Sequence, residues 1–192
     1  MSFPLTIEPH RASWKEDFER EAVLIRKALG PALRDIHHIG STAIPGIHAK
    51  PIIDMLAEAE SLDAIDLRSG EMEGLGYETM GEFGISGRRY FRKDNSAGAR
   101  THHVHAFAAG SPHLVRHLAF RDYIIAHPDI AREYDALKLR LIESCRGDTE
   151  AYIEGKDAFV KDTERSAIRW LEIRHHRVGG VETMRAAISL SV

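Results

Sequence analysis

HIGSTAIPGIHAKPIIDML, residues 38–56, is the stretch whose reading decides the fold. It begins at the end of a strand (His37, His38, Ile39) and passes through a small-residue turn (Gly40, Ser41, Thr42). It then breaks at Pro45–Gly46 and enters a second strand, Pro51 to Ala57. That second strand is nearly all apolar, as a strand covered on both faces should be, yet it carries one carboxylate, Asp54. Gly40 lets the backbone turn tightly and approach a ligand closely. Ser41 and Thr42 offer hydroxyls and backbone N–H groups suited to a phosphate. Lys50 adds a cation just before the strand, and Asp54 offers an oxygen ligand to a divalent metal.

Working outward, Phe3, Leu5 and Ile7 alternate in an extended N-terminal arm limited by Pro4 and Pro9. Ser13 and Glu16 have the spacing of a capping box. Trp14, Phe18, Ala22, Ile25 and Leu29 follow at helical steps, and Gly30–Pro31 ends them. Asp35 to Ile39 reads as a central strand paired with Pro51 to Ala57. Ser61 to Leu75 fits one helix using Leu62, Ile65 and Leu67, and Tyr77 to Ile85 is Gly-rich and ambiguous. Gly87 to Phe107 predicts a hairpin, with Arg88–Lys93 and Arg100–Phe107 as arms around the turn DNSAG. Strand alternation puts Arg88, Tyr90 and Arg92 on one face of the first arm. On the second arm it puts Thr101, His103, His105 and Phe107 on one face and His102, Val104 and Ala106 on the other.

The remainder is helical. Ser111–Pro112 opens a helix carrying Leu114, Leu118, Arg121 and Ile125. Pro128 opens the next, with Ile130, Tyr134, Leu137 and Leu141 inward, and Arg146–Gly147 breaks it. Asp148 caps a third that aligns Tyr152, Lys156, Phe159, Thr163 and Trp170. No linker or repeat divides the chain, so residues 1–171 form one domain and 172–192 a tail of unassigned role. In that tail His175, His176 and Gly179–Gly180 read as a break, and Val181–Leu190 as either a short docking helix or a frayed end. With 192 residues, 43% apolar and 29% charged, the composition is that of a globular protein. No apolar run reaches the ~18 residues of a membrane span and no signal-peptide core is present. The single cysteine, Cys145, excludes an internal disulfide, fits a buried small residue, and suits a cytoplasmic, reducing compartment. A net charge of −3 provides no basic field for long nucleic acid, so anion recognition must be local.

Three groups carry chemistry. Asp54 lies among Ile52, Ile53, Met55 and Leu56 and must be paired, protonated or metal-bound. A salt bridge to a hairpin arginine is the plain alternative. His103 and His105, two apart on a strand, point the same way, and with Asp54 opposite they make a metal-ligand set. Two imidazoles and a carboxylate suit zinc or another transition metal better than magnesium. A polar strand face bonded to backbone is the alternative. Arg88, Arg92 and Arg100, with Arg121 added from the following helix, offer guanidinium forks to phosphate. For Arg89 and Lys93 a solvated hairpin edge is the reading.

HIGSTAIPGIHAKPIIDM resembles the hallmark segment of the GrpB family, a branch of the nucleotidyltransferase superfamily. The likeness continues through WKEDFEREA, RRYFRK, RTHHVHAF, HLAFRDYIIAHPDIAREYDALK and AYIEGKDAFV, and covers Ile7 to Trp170. The resemblance implies a nucleotidyltransferase-like α/β fold of α+β type: a mixed sheet flanked by helices, with a helical C-terminal part. It also implies a Gly-Ser pair over nucleotide phosphates, here Gly40–Ser41, and a strand with two metal-holding carboxylates spaced by two. Asp54 matches the first; the second falls on Leu56, and Glu58 lies too far along. The histidines of HHVH stand where a further carboxylate is expected, which argues against ordinary two-magnesium transfer. The family's domain also occurs fused to dephospho-CoA kinase, but this chain has no Walker A motif and should lack that activity.

Two functional classes follow. The first is a metal-dependent enzyme (Mg, Mn or Zn) transferring nucleotidyl or phosphoryl groups on a small molecule. In it Gly40, Ser41, Thr42, Arg88, Arg92 and Arg121 hold phosphate, Asp54 and Lys50 are catalytic, and Asp54, His103 and His105 hold the metal. The second is a binding module of degenerate site that senses a nucleotide or CoA-like ligand or assists a partner protein. Nucleic-acid binding through the hairpin is weaker, because stacking residues there are limited to Tyr90 and Phe91.

Overall fold

The apolar stripe near the N-terminus forms α1 (Ser13–Leu29) in the computed structural model, which describes residues 6–178. Trp14, Ala22, Ile25 and Leu29 are buried on its inner face. Ser13 is not its cap: the helix starts from Ala12 in helical geometry, with no side-chain capping bond. Gly30, at φ +51, turns the chain out of the helix. The extended N-terminal arm survives among the described residues only as a single bridge between Glu8 and Ala49.

The sheet is mixed and five-stranded, in the order β1-β2-β5-β4-β3. Its strands are β1 (Leu33–Ile39), β2 (Ile53–Ala59), β3 (Tyr77–Thr79), β4 (Arg88–Asp94) and β5 (Arg100–Ala108). β2 runs parallel to β5, and every other pairing is antiparallel. β1 is therefore an edge strand rather than a central one, which explains its polar sequence: it needs cover on fewer sides. β2, β5 and β4 are the interior strands, each paired on both sides. The hairpin register follows the alternation, with Arg88 opposite Phe107, Tyr90 opposite His105 and Arg92 opposite His103.

The segment 61–75 splits into α2 (Leu62–Asp66) and α3 (Ser69–Gly74) because Arg68 leaves helical geometry between them. Ser61 Oγ caps α2 by accepting from the Ala64 N–H at 3.1 Å. Leu67, at this break, is exposed rather than inward. α1, α2 and α3 cover one face of the sheet, where Met55, Ala57, Phe91, Val104 and Ala106 meet Trp14, Ile25, Leu29, Ile65 and Met72. Burying such a set from water is the main drive to fold, about 1.5–3 kcal/mol for each large side chain.

The other face carries the polar cluster. It is covered only in part by α4 (Pro112–Ala126), α5 (Pro128–Cys145) and α6 (Thr149–Val178). Leu114 and Leu118 of α4 pack on Ile39, Leu56 and Phe107. Ser111 caps α4, with its Oγ accepting from the His113 N–H at 3.3 Å, and Asp148 caps α6 through the N–H groups of Glu150 and Ala151. In α4 it is Ile124 that is buried, while Ile125 is exposed. Cys145 is half-buried, not fully buried. α6 continues as helix to Val178, so the expected break at His175–His176 does not occur; the Val181–Leu190 segment lies outside the described residues. Among the described residues no helix is long and apolar enough to cross a membrane.

Candidate functional site

Asp54 sits on β2 between Ile39 of β1 and His103 of β5, so sheet register alone brings it beside the first of the two histidines. His103 Nδ1 donates to Asp54 Oδ1 at 2.9 Å, and His105 Nε2 lies 4.0 Å from the same oxygen. One ligand-capable atom from each of Asp54, His103 and His105 falls within 4.8 Å of the others. No arginine meets Asp54 among the described residues; histidines do. Burial would raise the Asp54 carboxyl. The His103 hydrogen bond and charge, helped by His105 and His38, outweigh it and hold the carboxyl below its usual range.

The surrounding imidazoles are kept neutral. Burial, opposed by Asp54, pushes His105 down to about 4. His117, whose ring is 6.0 Å from that of His105, is lowered to about 3 by burial and by Arg116. His38 is lowered to about 4, again chiefly by burial. Neutral rings near pH 7 keep lone pairs available to a metal or a proton.

Gly40 is needed for a contact within the fold itself. Its φ is +71, and a Cβ placed there would lie 2.5 Å from Asp54 Oδ2. The backbone there approaches the Asp54 carboxylate closely. The turn after it is a three-residue 3-10 helix, Ser41–Ala43. Thr42 is buried and internally committed: its Oγ1 donates to the Ile52 carbonyl at 3.2 Å and lies 2.9 Å from His38 Nε2. Ser41 is half-buried, and its side chain acts on the Tyr134 hydroxyl of α5.

The cations separate into two sets. Arg88, buried on β4, donates to the carbonyls of Glu82 and Phe83 and packs on Tyr90 and His105. Arg92 pairs with Glu78 at 2.5 Å and Arg100 with Asp94 at 2.5 Å. Arg121 bonds its neighbour Asp122 and the His38 carbonyl, bracing α4 against β1. These arginines are thus occupied within the fold. The hairpin's other cations are tied down as well rather than simply solvated, Arg89 to Asp66 and Lys93 to Glu21 of α1.

The second set was not legible as a group. Lys50 Nζ and Lys156 Nζ lie 5.0 and 4.3 Å from the centre of the same Tyr152 ring. Burial lowers both, with Asp54 pulling each back up, and Lys156 reaches about 8 with Lys50 adding to its depression. Asp54 also acts on Tyr134. Lys156, Tyr152, Tyr134, His38 and His117 therefore join the site. The available signal was Lys156 on the inward stripe of its helix, where a lysine is out of place.

Leu56, in the position of a second carboxylate, is fully buried against α4, and Glu58 is displaced along the strand beside Phe107. An apolar groove of about 390 Å³ lies apart from the cluster, lined by residues such as Ile44, Ile47, Ile124, Ala131 and Leu139. Its lining also includes Arg132 and Asp135, and it shares none of the titratable groups around Asp54.

A mixed sheet with helices on both faces, bearing a carboxylate, two imidazoles and a lysine pair on its partly covered face, defines an α+β protein with a candidate metal and anion site. The family model for "GrpB protein" matches residues 4–166. The chain belongs to the GrpB family. It is 44% identical over 172 residues to the UPF0157 protein YqkA of Bacillus subtilis, covering 90% of this chain and 50% of that one. The glutamate-rich protein GrpB of Alkalihalophilus pseudofirmus is 35% identical over 156 residues, 80% of this chain and 90% of that relative. A dephospho-CoA kinase of Mycolicibacterium paratuberculosis is 27% identical over 192 residues, 88% of this chain and 47% of the kinase. The chain thus spans about half the length of YqkA and of that kinase. The crystal structure of conserved protein GrpB from Enterococcus faecalis superposes with a TM-score of 0.82 at 41% identity, over 86% of this chain and 99% of that one.

Proposed function

We propose that this GrpB-family protein, of nucleotidyltransferase-like descent and cytoplasmic, binds a phosphorylated small molecule beside a divalent metal and transfers its nucleotidyl or phosphoryl group. The observation that carries the reading is the convergence of Asp54, His103 and His105 within 4.8 Å. Two imidazoles and an ionised carboxylate fit zinc or manganese, and fit magnesium less well. Bound there, the metal would neutralise phosphate charge and polarise a phosphoryl oxygen. Asp54 fixes the His103 tautomer by accepting from Nδ1, which leaves the Nε2 lone pair to the ligand. Lys50 presents positive charge to the phosphate, and Ser41 offers its hydroxyl at the turn. Arg88, Arg92 and Arg121 shape the walls through the bonds they already make.

Buried Leu56 favours a second reading, a module that binds the same ligand without turnover. Calorimetry with Mn²⁺ and nucleotides on the wild type and Asp54→Asn tests the first claim. Asp54→Asn should abolish metal binding and weaken nucleotide binding; unchanged binding of both would refute the assignment. Turnover of any nucleoside triphosphate with Mg²⁺, Mn²⁺ or Zn²⁺ would exclude the module.

A further inference from the structure

We propose that Lys50 and Lys156 form a two-lysine clamp that takes a doubly charged phosphoryl group of a small molecule over the face of Tyr152. The clamp rests on the reading of this site as phosphate-binding, and assigns that task to lysines rather than to the hairpin arginines. Lys50 comes from the segment before β2 and Lys156 from α6, yet both ammonium groups stand over one ring, at 5.0 and 4.3 Å from its centre. Among the described residues neither is in an ion pair, whereas Arg88, Arg92, Arg100, Arg121 and Lys138 are all committed to carboxylates or carbonyls.

Two like charges gathered on one ring repel each other, and the depressed basicity of Lys156 records that cost together with burial, while burial lowers Lys50. Asp54, with a single negative charge, is the carboxylate whose field both feel, and it offsets only part of the pair. A dianion between them supplies the remaining charge. Ammonium groups on flexible stems follow a tetrahedral phosphate without a fixed fork, and the aromatic face keeps both stems in place. Ser41 and Asp54 both act on Tyr134, and Tyr134 in turn on Tyr152, so the clamp neighbours the Gly40–Ser41 turn. A monoanion would satisfy one lysine and leave the other unpaired, which sets the preference for a dianion.

The test is calorimetric titration of inorganic phosphate and pyrophosphate in EDTA, with acetate at equal ionic strength as control. Lys50→Met and Lys156→Met keep the aliphatic stems on Tyr152 and should each weaken binding about ten- to hundredfold; Lys156→Arg should recover most of it. In the unaltered protein, phosphate should slow modification of both lysines by an amine-reactive anhydride, followed by mass spectrometry. This second readout stands even if a variant folds poorly. Unchanged affinity in both variants, or no protection of either lysine, would overturn the clamp. Phosphate binding that requires Mn²⁺ and ignores the lysines would overturn it while leaving the metal reading intact. Lysine-dependent binding in EDTA, with Mn²⁺ binding unaffected by Asp54→Asn, would uphold the clamp and remove the metal. No phosphate binding with or without Mn²⁺ would overturn both.

Discussion

Replacing Gly40 by Ala should disturb the centre of the site more than any other single methyl group. The left-handed backbone at φ +71 costs a non-glycine residue about 1–2 kcal/mol. The new Cβ would also stand 2.5 Å from Asp54 Oδ2 and 3.0 Å from Asp54 Cβ. Asp54 must then move, and the 2.9 Å bond from His103 is charge-assisted, worth about 1.5–3 kcal/mol. Together these predict a loss of about 2.5–5 kcal/mol. Gly46 provides the control: its φ is +79, but a Cβ there meets nothing within 4 Å, so Gly46→Ala should cost only the backbone part, about 1–2 kcal/mol. Urea denaturation, with a slope of about 2 kcal/mol/M for a domain of this size, should show midpoints lowered by about 2 M for Gly40→Ala and less than 1 M for Gly46→Ala. Equal losses for the two variants would refute the claim that Gly40 is needed for contact with Asp54.

The histidines make a pH prediction. His38 and His105 titrate at about 4 in the fold and His117 at about 3, against about 6.5 in the unfolded chain. The unfolded state therefore binds protons first, so stability is complete above about 6.5 and declines as pH falls toward the folded values. By pH 5.5 the loss should be roughly 1.4 kcal/mol for each ring, about 4 in all, measurable as a lower urea midpoint than at pH 7.5. A midpoint unchanged or raised at pH 5.5 would contradict it; Asp54, whose carboxyl is lowered, contributes nothing in this window. Asp135→Asn should destabilise by about 3 kcal/mol. The reason is that Lys138, 1% exposed and bonded to the His48 carbonyl, loses its countercharge 3.7 Å away; a loss below 1 kcal/mol in thermal or urea unfolding would contradict that. Arg92→Met should leave ligand affinity within about twofold, because the guanidinium is held by Glu78; a tenfold loss in calorimetry would return Arg92 to the site.

How far the sequence reached depends on range. Alternation in RTHHVHAF placed His103 and His105 on one face, and the apolar strand around Asp54 placed the carboxylate, because strand periodicity is local and rigid. The turn DNSAG marked the hairpin, but not its register, which shifts between Lys93 and Asp94 and sets Tyr90 opposite His105 and Arg92 opposite His103. The neighbours of a strand are not local, and β1 proved to be an edge. The arginines misled for the same reason: their partners, Glu78 for Arg92 and Asp66 for Arg89, lie 14 and 23 residues away. Lys156 reaches the site only because α6 packs across α4 and α5, a relation no helical stripe encodes. Gly40 was recognised as necessary, but its partner was the carboxylate fourteen positions on.

The most direct test of the central claim is anomalous diffraction from crystals soaked in Zn²⁺ or Mn²⁺, measured at the edge of the metal. The account predicts one strong peak between Asp54, His103 and His105, absent in Asp54→Asn. No peak there, or a peak that persists without the carboxylate, would contradict it.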